Sequence, residues 1–187
     1  YDRATETIWH QFTGEPVIGP LAGSHSRLSF FPSVLTTWEE WLAEHPDATV
    51  ISPQTGIYPS DSYESESDPA SVYFDYRSSD ETRFPVWPRS DELVSKDVVL
   101  GVEIDGVTKA YRLPVSEESR VINDEVGGTS LVVVASSTSQ SGRAYESRGR
   151  TFTIVPGDSS ADAPTVVADQ TGDTWSVTEE FLINQRD

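Results

Sequence analysis

DVVLGVEIDGVTKAYRL, residues 97–113, decides the fold class. Two runs rich in Val, Ile and Thr flank Asp105-Gly106, and an Asp-Gly pair between such runs is the strongest short-range hairpin signal because both residues accept positive φ. The chain downstream continues in the same style. GGTSLVVVASS (127–137) reads as a buried strand. RAYESRGRTFTIV (143–155) reads as a second hairpin turning at Arg148-Gly149, and PTVVADQTGDTWSVTEEF (164–181) as a third turning near Thr171-Gly172. Short strands at intervals of roughly ten residues predict a mainly β fold: an antiparallel sheet, sandwich or barrel-like structure.

Upstream, the pattern is different. TTWEEWLAEHP (36–46) predicts one short helix over about residues 38–44. Thr37 and Glu40 have capping-box spacing, Trp38, Trp41 and Leu42 fall on one helical face, and Pro46 stops the run. The paired tryptophans read first as core. His45, in the last turn, reads as a partner of the helix dipole. From Gly56 to Pro88 the chain is a long irregular connection rich in Ser, Asp, Glu and Pro. Such excursions are often functional, and the candidate binding residues are its aromatics: Tyr58, Tyr63, Tyr73, Tyr76 and Trp87.

The 187 residues carry 31 Asp plus Glu against 13 Lys plus Arg, a formal charge of −18. The only lysines are Lys96 and Lys109. This balance argues against nucleic acid and anionic membrane surfaces as partners, because both are bound through positive patches. It suits a solvent of molar salt, where repulsion among carboxylates is screened. No apolar run reaches the roughly 20 residues of a membrane span, so no direct membrane insertion is expected. There is no cysteine, which removes thiolate metal sites and cysteine nucleophiles. His10, His25 and His45 lack metal-ligand spacing, and neither a phosphate loop nor a serine elbow is present. Asp169, Thr171 and Asp173 read as a hydrogen-bonded turn rather than a calcium loop. Asn123-Asp124-Glu125 reads as a turn entering a strand. No metal and no cofactor are expected.

The opening stretch YDRATETIW (1–9) parallels the closing DQTGDTW (169–175), with one residue more between Asp and Trp. Together with GEPVIGPLAG (14–23), TTWEEWLAEHPDATVIS (36–52), Phe84–Val86, VVLGVEIDGVTKAY (98–111) and VINDEVGGTSLVVV (121–134), it makes the chain resemble the uncharacterised bacterial and archaeal family called domain of unknown function 3179. The resemblance implies a tandem of two β units, each running from a DG-x-x-KAY hairpin through VND-x-x-GG to a final Asp/Thr/Trp turn. On this reading residues 1–18 are the terminal hairpin of an incomplete first unit, 19–96 the connecting segment and 97–187 the second unit. The family's first unit resembles V-x-YCPL-x-GT after its buried strand. Ala135 and Ser136 stand there in this chain, so a cysteine-dependent site would belong to the other unit.

The expectation is a non-enzymatic, extracytoplasmic, secreted or cell-surface module that binds or assembles, adapted to high salt. Its partner would be the missing N-terminal half of the same gene product, or a neighbouring subunit, joined by strand pairing. The alternative is part of an enzyme or metal-dependent protein whose site lies mainly in the missing repeat.

Overall fold

In the computed structural model the chain divides into two compact units, Tyr1–Ser33 and Val34–Asp187. The described residues are all of 1–187 except Pro32, Glu64, Glu66, Ser67, Val72, Val86, Pro88, Arg89, Ser159, Ala161 and Asp187, and the side chains of Ser60 and Asp61. Val86, which ends the Phe84–Val86 motif, and Pro88, which ends the aromatic stretch, therefore lie outside them.

The first unit is a small antiparallel ladder of β1 (Ile8–Trp9) and β2 (Pro16–Ile18), with Ile8 opposite Ile18 and Trp9 opposite Pro16. The turn between them closes through Gly14 N to His10 O and His10 N to Glu15 O. Gly19 after β2 must be glycine: its φ is +113°, and a Cβ there would stand 2.4 Å from Glu6 O.

The second unit begins with α1 (Trp38–Glu44), whose capping box is complete: Thr37 Oγ1 accepts from Glu40 N, and Glu40 Oε2 accepts from Thr37 N. The helix buries none of its residues, and Trp38 is 47% exposed, so the reading of the tryptophans as core is corrected. One turn of apolar stripe cannot by itself recruit a core. His45 caps the helix with its backbone N–H and lays its ring against Trp41, the centroids 4.0 Å apart. The connection that follows is not wholly irregular. It holds a 3-10 turn (Ser60–Tyr63) and a second short helix, α2 (Phe74–Ser78).

The rest is β-structure in three layers, and the architecture is mainly antiparallel β, with no closed barrel among the described residues. The Asp105-Gly106 turn joins β3 (Val99–Ile104) to β4 (Val107–Arg112), with φ of +50° and +78° as the hairpin reading requires. β5 (Val121–Val126), β6 (Thr129–Ala135) and β7 (Gly142–Glu146) form the middle sheet. β8 (Phe152–Ile154), β9 (Val166–Asp169), β10 (Thr174–Val177) and β11 (Leu182–Asn184) form the third, ordered β11-β10-β9-β8.

The unbroken run Leu131–Ala135 in β6 is buried on both faces. Val132 and Val134 pack with Tyr145, Phe152, Val167 and Val177 against the four-stranded sheet. Val133 and Ala135 pack with Tyr111 and Leu113 on the hairpin side. The Arg148-Gly149 turn exists, with φ of +52° and +77°, but the expected hairpin around it does not. β7 is hydrogen-bonded to β6 and β8 to β9, so this turn carries the chain from one sheet to the other. The third hairpin, β9 to β10, is as read.

Candidate functional site

Successive residues of β5 clasp opposite layers. Asn123, on the face toward the four-stranded sheet, accepts from Phe152 N at 2.7 Å through Oδ1 and donates to Phe152 O at 2.8 Å through Nδ2. Asp124, on the other face, accepts from Tyr111 Oη at 2.9 Å and pairs with Lys109 Nζ at 2.5 Å. These residues are the core of the KAY and VND motifs. They lie within a regular strand, and the tight turn is Gly127-Gly128, so the reading of 123–125 as a turn is corrected. Lys109 above all holds the Asp124 carboxyl below its usual range. Burial, then Asp124, pushes the Tyr111 phenol up to about 12. A phenol kept neutral while it donates to a carboxylate that a lysine already neutralises is an interlayer clamp. It offers no base poised near neutral pH.

Asp169 organises the β9–β10 turn. Its Oδ1 accepts from Thr171 N at 2.9 Å, Thr171 Oγ1 at 2.6 Å and Asp173 N at 3.1 Å, and its Oδ2 from Trp175 Nε1 at 3.1 Å. The Thr171 hydroxyl is the largest cause of a carboxyl held down at about 2. In the first unit Asp2 accepts from Ala4 N at 2.9 Å and Thr5 Oγ1 at 2.6 Å. Each turn closes onto the residue two before its tryptophan: Asp2 exchanges backbone hydrogen bonds with Thr7, and Asp169 N donates to Asp173 O. A positive φ precedes each closure, at Glu6 and at Gly172. The extra residue between Asp2 and Trp9 is thus absorbed inside the turn. The tryptophans differ in one respect, since Trp9 Nε1 is buried with no partner among the described residues.

The aromatic candidates fall into separate groups. Tyr58 and Tyr63 meet edge to face, centroids 6.4 Å apart, and Tyr63 Oη shares a hydrogen bond with Thr55 Oγ1. Tyr73 and Tyr76 lie at α2, where the Tyr76 ring receives Lys96 Nζ at 3.9 Å and Arg83 at 5.3 Å. Lys96 also donates to the Tyr76 and Ser79 carbonyls, which fixes its position over the ring. Trp87 is 91% exposed. Among the described residues no three His, Asp or Glu stand together as a cage for a metal ion, and no helix is long and apolar enough to cross a membrane.

Sequence reasoning missed Arg143. It sits on β7 opposite Val134, on the same face as Tyr145, and is 9% exposed. It lines a cavity of about 370 Å³ beside α1, with Val155, Asp158 and residues 162–166 on the wall. Its one signal was strand alternation, which puts residues 143 and 145 on one face.

The chain as a whole matches a known family. The family described as "Protein of unknown function (DUF3179)" matches residues 1–185. The chain belongs to this family. No curated protein and no solved structure matches it. Within this DUF3179 chain the motif residues Lys109, Tyr111, Asn123, Asp124, Asp169 and Trp175 hold layers and turns together, as their hydrogen bonds above describe. The aromatic connection contributes no side chain to these hydrogen bonds.

Proposed function

We propose that the protein is a non-enzymatic binding and assembly module that joins its partner by adding strands to the ladder of β1 and β2. The observation that carries this reading is that the ladder has only two strands, with neither given a second neighbour among the described residues. Two-stranded ladders are marginal in water. Here Ile8 and Ile18, which face each other across the pair, are 41% and 62% exposed. An open edge of this kind pairs with another strand. The partner strand comes from the other β unit that the tandem pattern implies, in the same gene product, or from a neighbouring subunit. The acidic, lysine-poor surface supports a working environment of high salt, and we place the module outside the cytoplasm, secreted or at the cell surface.

Hydrogen exchange in molar KCl tests this, on the protein isolated from its source and on the 187-residue chain. The amides of β1 and β2 are expected to be protected in the natural protein. In the 187-residue chain they exchange faster unless it self-associates by sedimentation. Exchange of these amides at unfolded rates in both preparations would sink the reading.

A further inference from the structure

Arg143 carries charge into the layer between two sheets, on a face whose neighbours Val132, Val134 and Tyr145 are core. Its Nε is buried without a hydrogen-bond partner among the described residues, and its Nη2 meets Glu44 Oε2 at 3.7 Å, beyond hydrogen-bond length. Buried donors left open are costly, and nearly all find an acceptor. That Nε is closed to solvent, so the edge open to a ligand is Nη1 with Nη2, which make no hydrogen bond among the described residues and can take a carboxylate end-on through two parallel bonds.

Glu40 does not fill this role. Its Oε2 is held by Thr36 Oγ1 at 2.6 Å and by Thr37 N, and its Oε1 by Ser139 Oγ at 3.0 Å. Two further acids on the cavity wall are also engaged: Asp158 faces Arg120 at 3.5 Å, and Asp162 accepts from Thr138 Oγ1 at 3.2 Å. Among the described residues Glu44 is left with the single long contact. The cavity thus presents one cation and one anion side by side, both short of hydrogen bonds. The remaining wall includes Ala43, Val155 and Pro164, which are apolar.

A simple anion would answer Arg143 but would enter against Glu44 and against a chain of net charge −18. A molecule carrying its own cation beside its carboxylate escapes both objections. We propose that the cavity binds an apolar α-amino acid as its zwitterion. The carboxylate takes the Nη1/Nη2 edge of Arg143, the ammonium takes Glu44, and the side chain lies against Ala43, Val155 and Pro164. Adjacent charges on the ligand match adjacent charges on the wall, and about 370 Å³ accommodates a side chain of leucine size. The binding is reversible and independent of the strand pairing proposed above.

Isothermal titration of the 187-residue chain with L-leucine tests it, alongside isocaproate, which lacks the amine, and isoamylamine, which lacks the carboxylate. Leucine is expected to bind saturably below about 10 mM, and each half-molecule about tenfold more weakly or worse, as one lost charge-assisted contact predicts. Arg143→Lys keeps the charge but loses the two-donor edge, and should weaken leucine about tenfold. Glu44→Gln, on an exposed helix, should weaken leucine and leave isocaproate unchanged or tighter. Far-UV circular dichroism checks that both variants fold, and Glu44→Gln carries the test if Arg143→Lys does not. The proposal is overturned by any of three results: no saturable leucine heat, isocaproate binding as tightly as leucine, or a folded variant of either kind binding leucine like the parent chain.

Discussion

Asn123 holds both backbone groups of Phe152, receiving its N–H at 2.7 Å and donating to its carbonyl at 2.8 Å. A side-chain amide here does what a neighbouring strand would do for the first residue of β8. It thereby fixes the height at which the four-stranded sheet meets the middle one, with the Phe152 ring, 2% exposed, set into the core between them.

Asn123→Ala should therefore cost about 3 kcal/mol, because two backbone groups lose partners and each unsatisfied group costs about 1–3 kcal/mol. Urea denaturation followed by tryptophan fluorescence measures it. A loss under about 0.5 kcal/mol, the usual size of a surface substitution, would mean that water replaces the amide.

Gly127 and Gly128 predict a contrast within one turn. Both have positive φ, +57° and +77°, so alanine at either is strained. At Gly128 a Cβ meets open space, and Gly128→Ala should cost about 1–2 kcal/mol from backbone strain alone. At Gly127 the Cβ would stand 2.3 Å from the carbonyl oxygen of Ile104, at the end of β3. Gly127→Ala must push the hairpin off the middle sheet, and its denaturation midpoint should fall well below that of Gly128→Ala. Equal midpoints would show that the hairpin yields freely.

Acid should loosen the β9–β10 turn before neutral conditions do. Asp169 titrates at about 2 in the folded chain, against about 3.9 when unfolded. Its stabilisation is therefore complete above the ordinary aspartate range and is lost as pH falls from about 4 toward 2. Asp2, Glu40 and Asp124 are lowered too and share the acid slope. Melting temperatures from neutral pH down to the acid limb should show a shallower decline for Asp169→Asn than for the parent chain. A parallel decline would assign the slope to the other three.

Salt should raise the melting temperature. With a formal charge of −18 the folded chain repels itself, and the screening length shrinks from about 10 Å at 0.1 M to about 3 Å at 1 M. Differential scanning calorimetry in KCl across that range checks it. A flat profile would remove the basis for the high-salt reading.

What the sequence made legible was local chemistry. Asp105-Gly106 specified its turn, and Thr37 with Glu40 specified the start of α1, because each depends only on neighbours in the chain. Arg148-Gly149 was read correctly as a turn and wrongly as a hairpin. Positive φ says where the chain reverses, not which strand the next segment will pair with. Asn123 and Asp124 looked like turn formers by residue type. Only the arrival of Phe152 on one side and of Lys109 with Tyr111 on the other makes a strand the better place for them. Arg143 was missed for a related reason, since an arginine at an alternating position is ordinarily taken to face water.

The two-sided burial of β6 makes that strand a shared wall. Detaching the β3–β4 hairpin strips one face of Val133 and Ala135, and detaching the four-stranded sheet strips Val132 and Val134. Neither outer layer can come away without wetting a strand on which the other still depends. The last amides to exchange with solvent should be those of residues 131–135, and the layers should melt in one transition rather than peel in sequence.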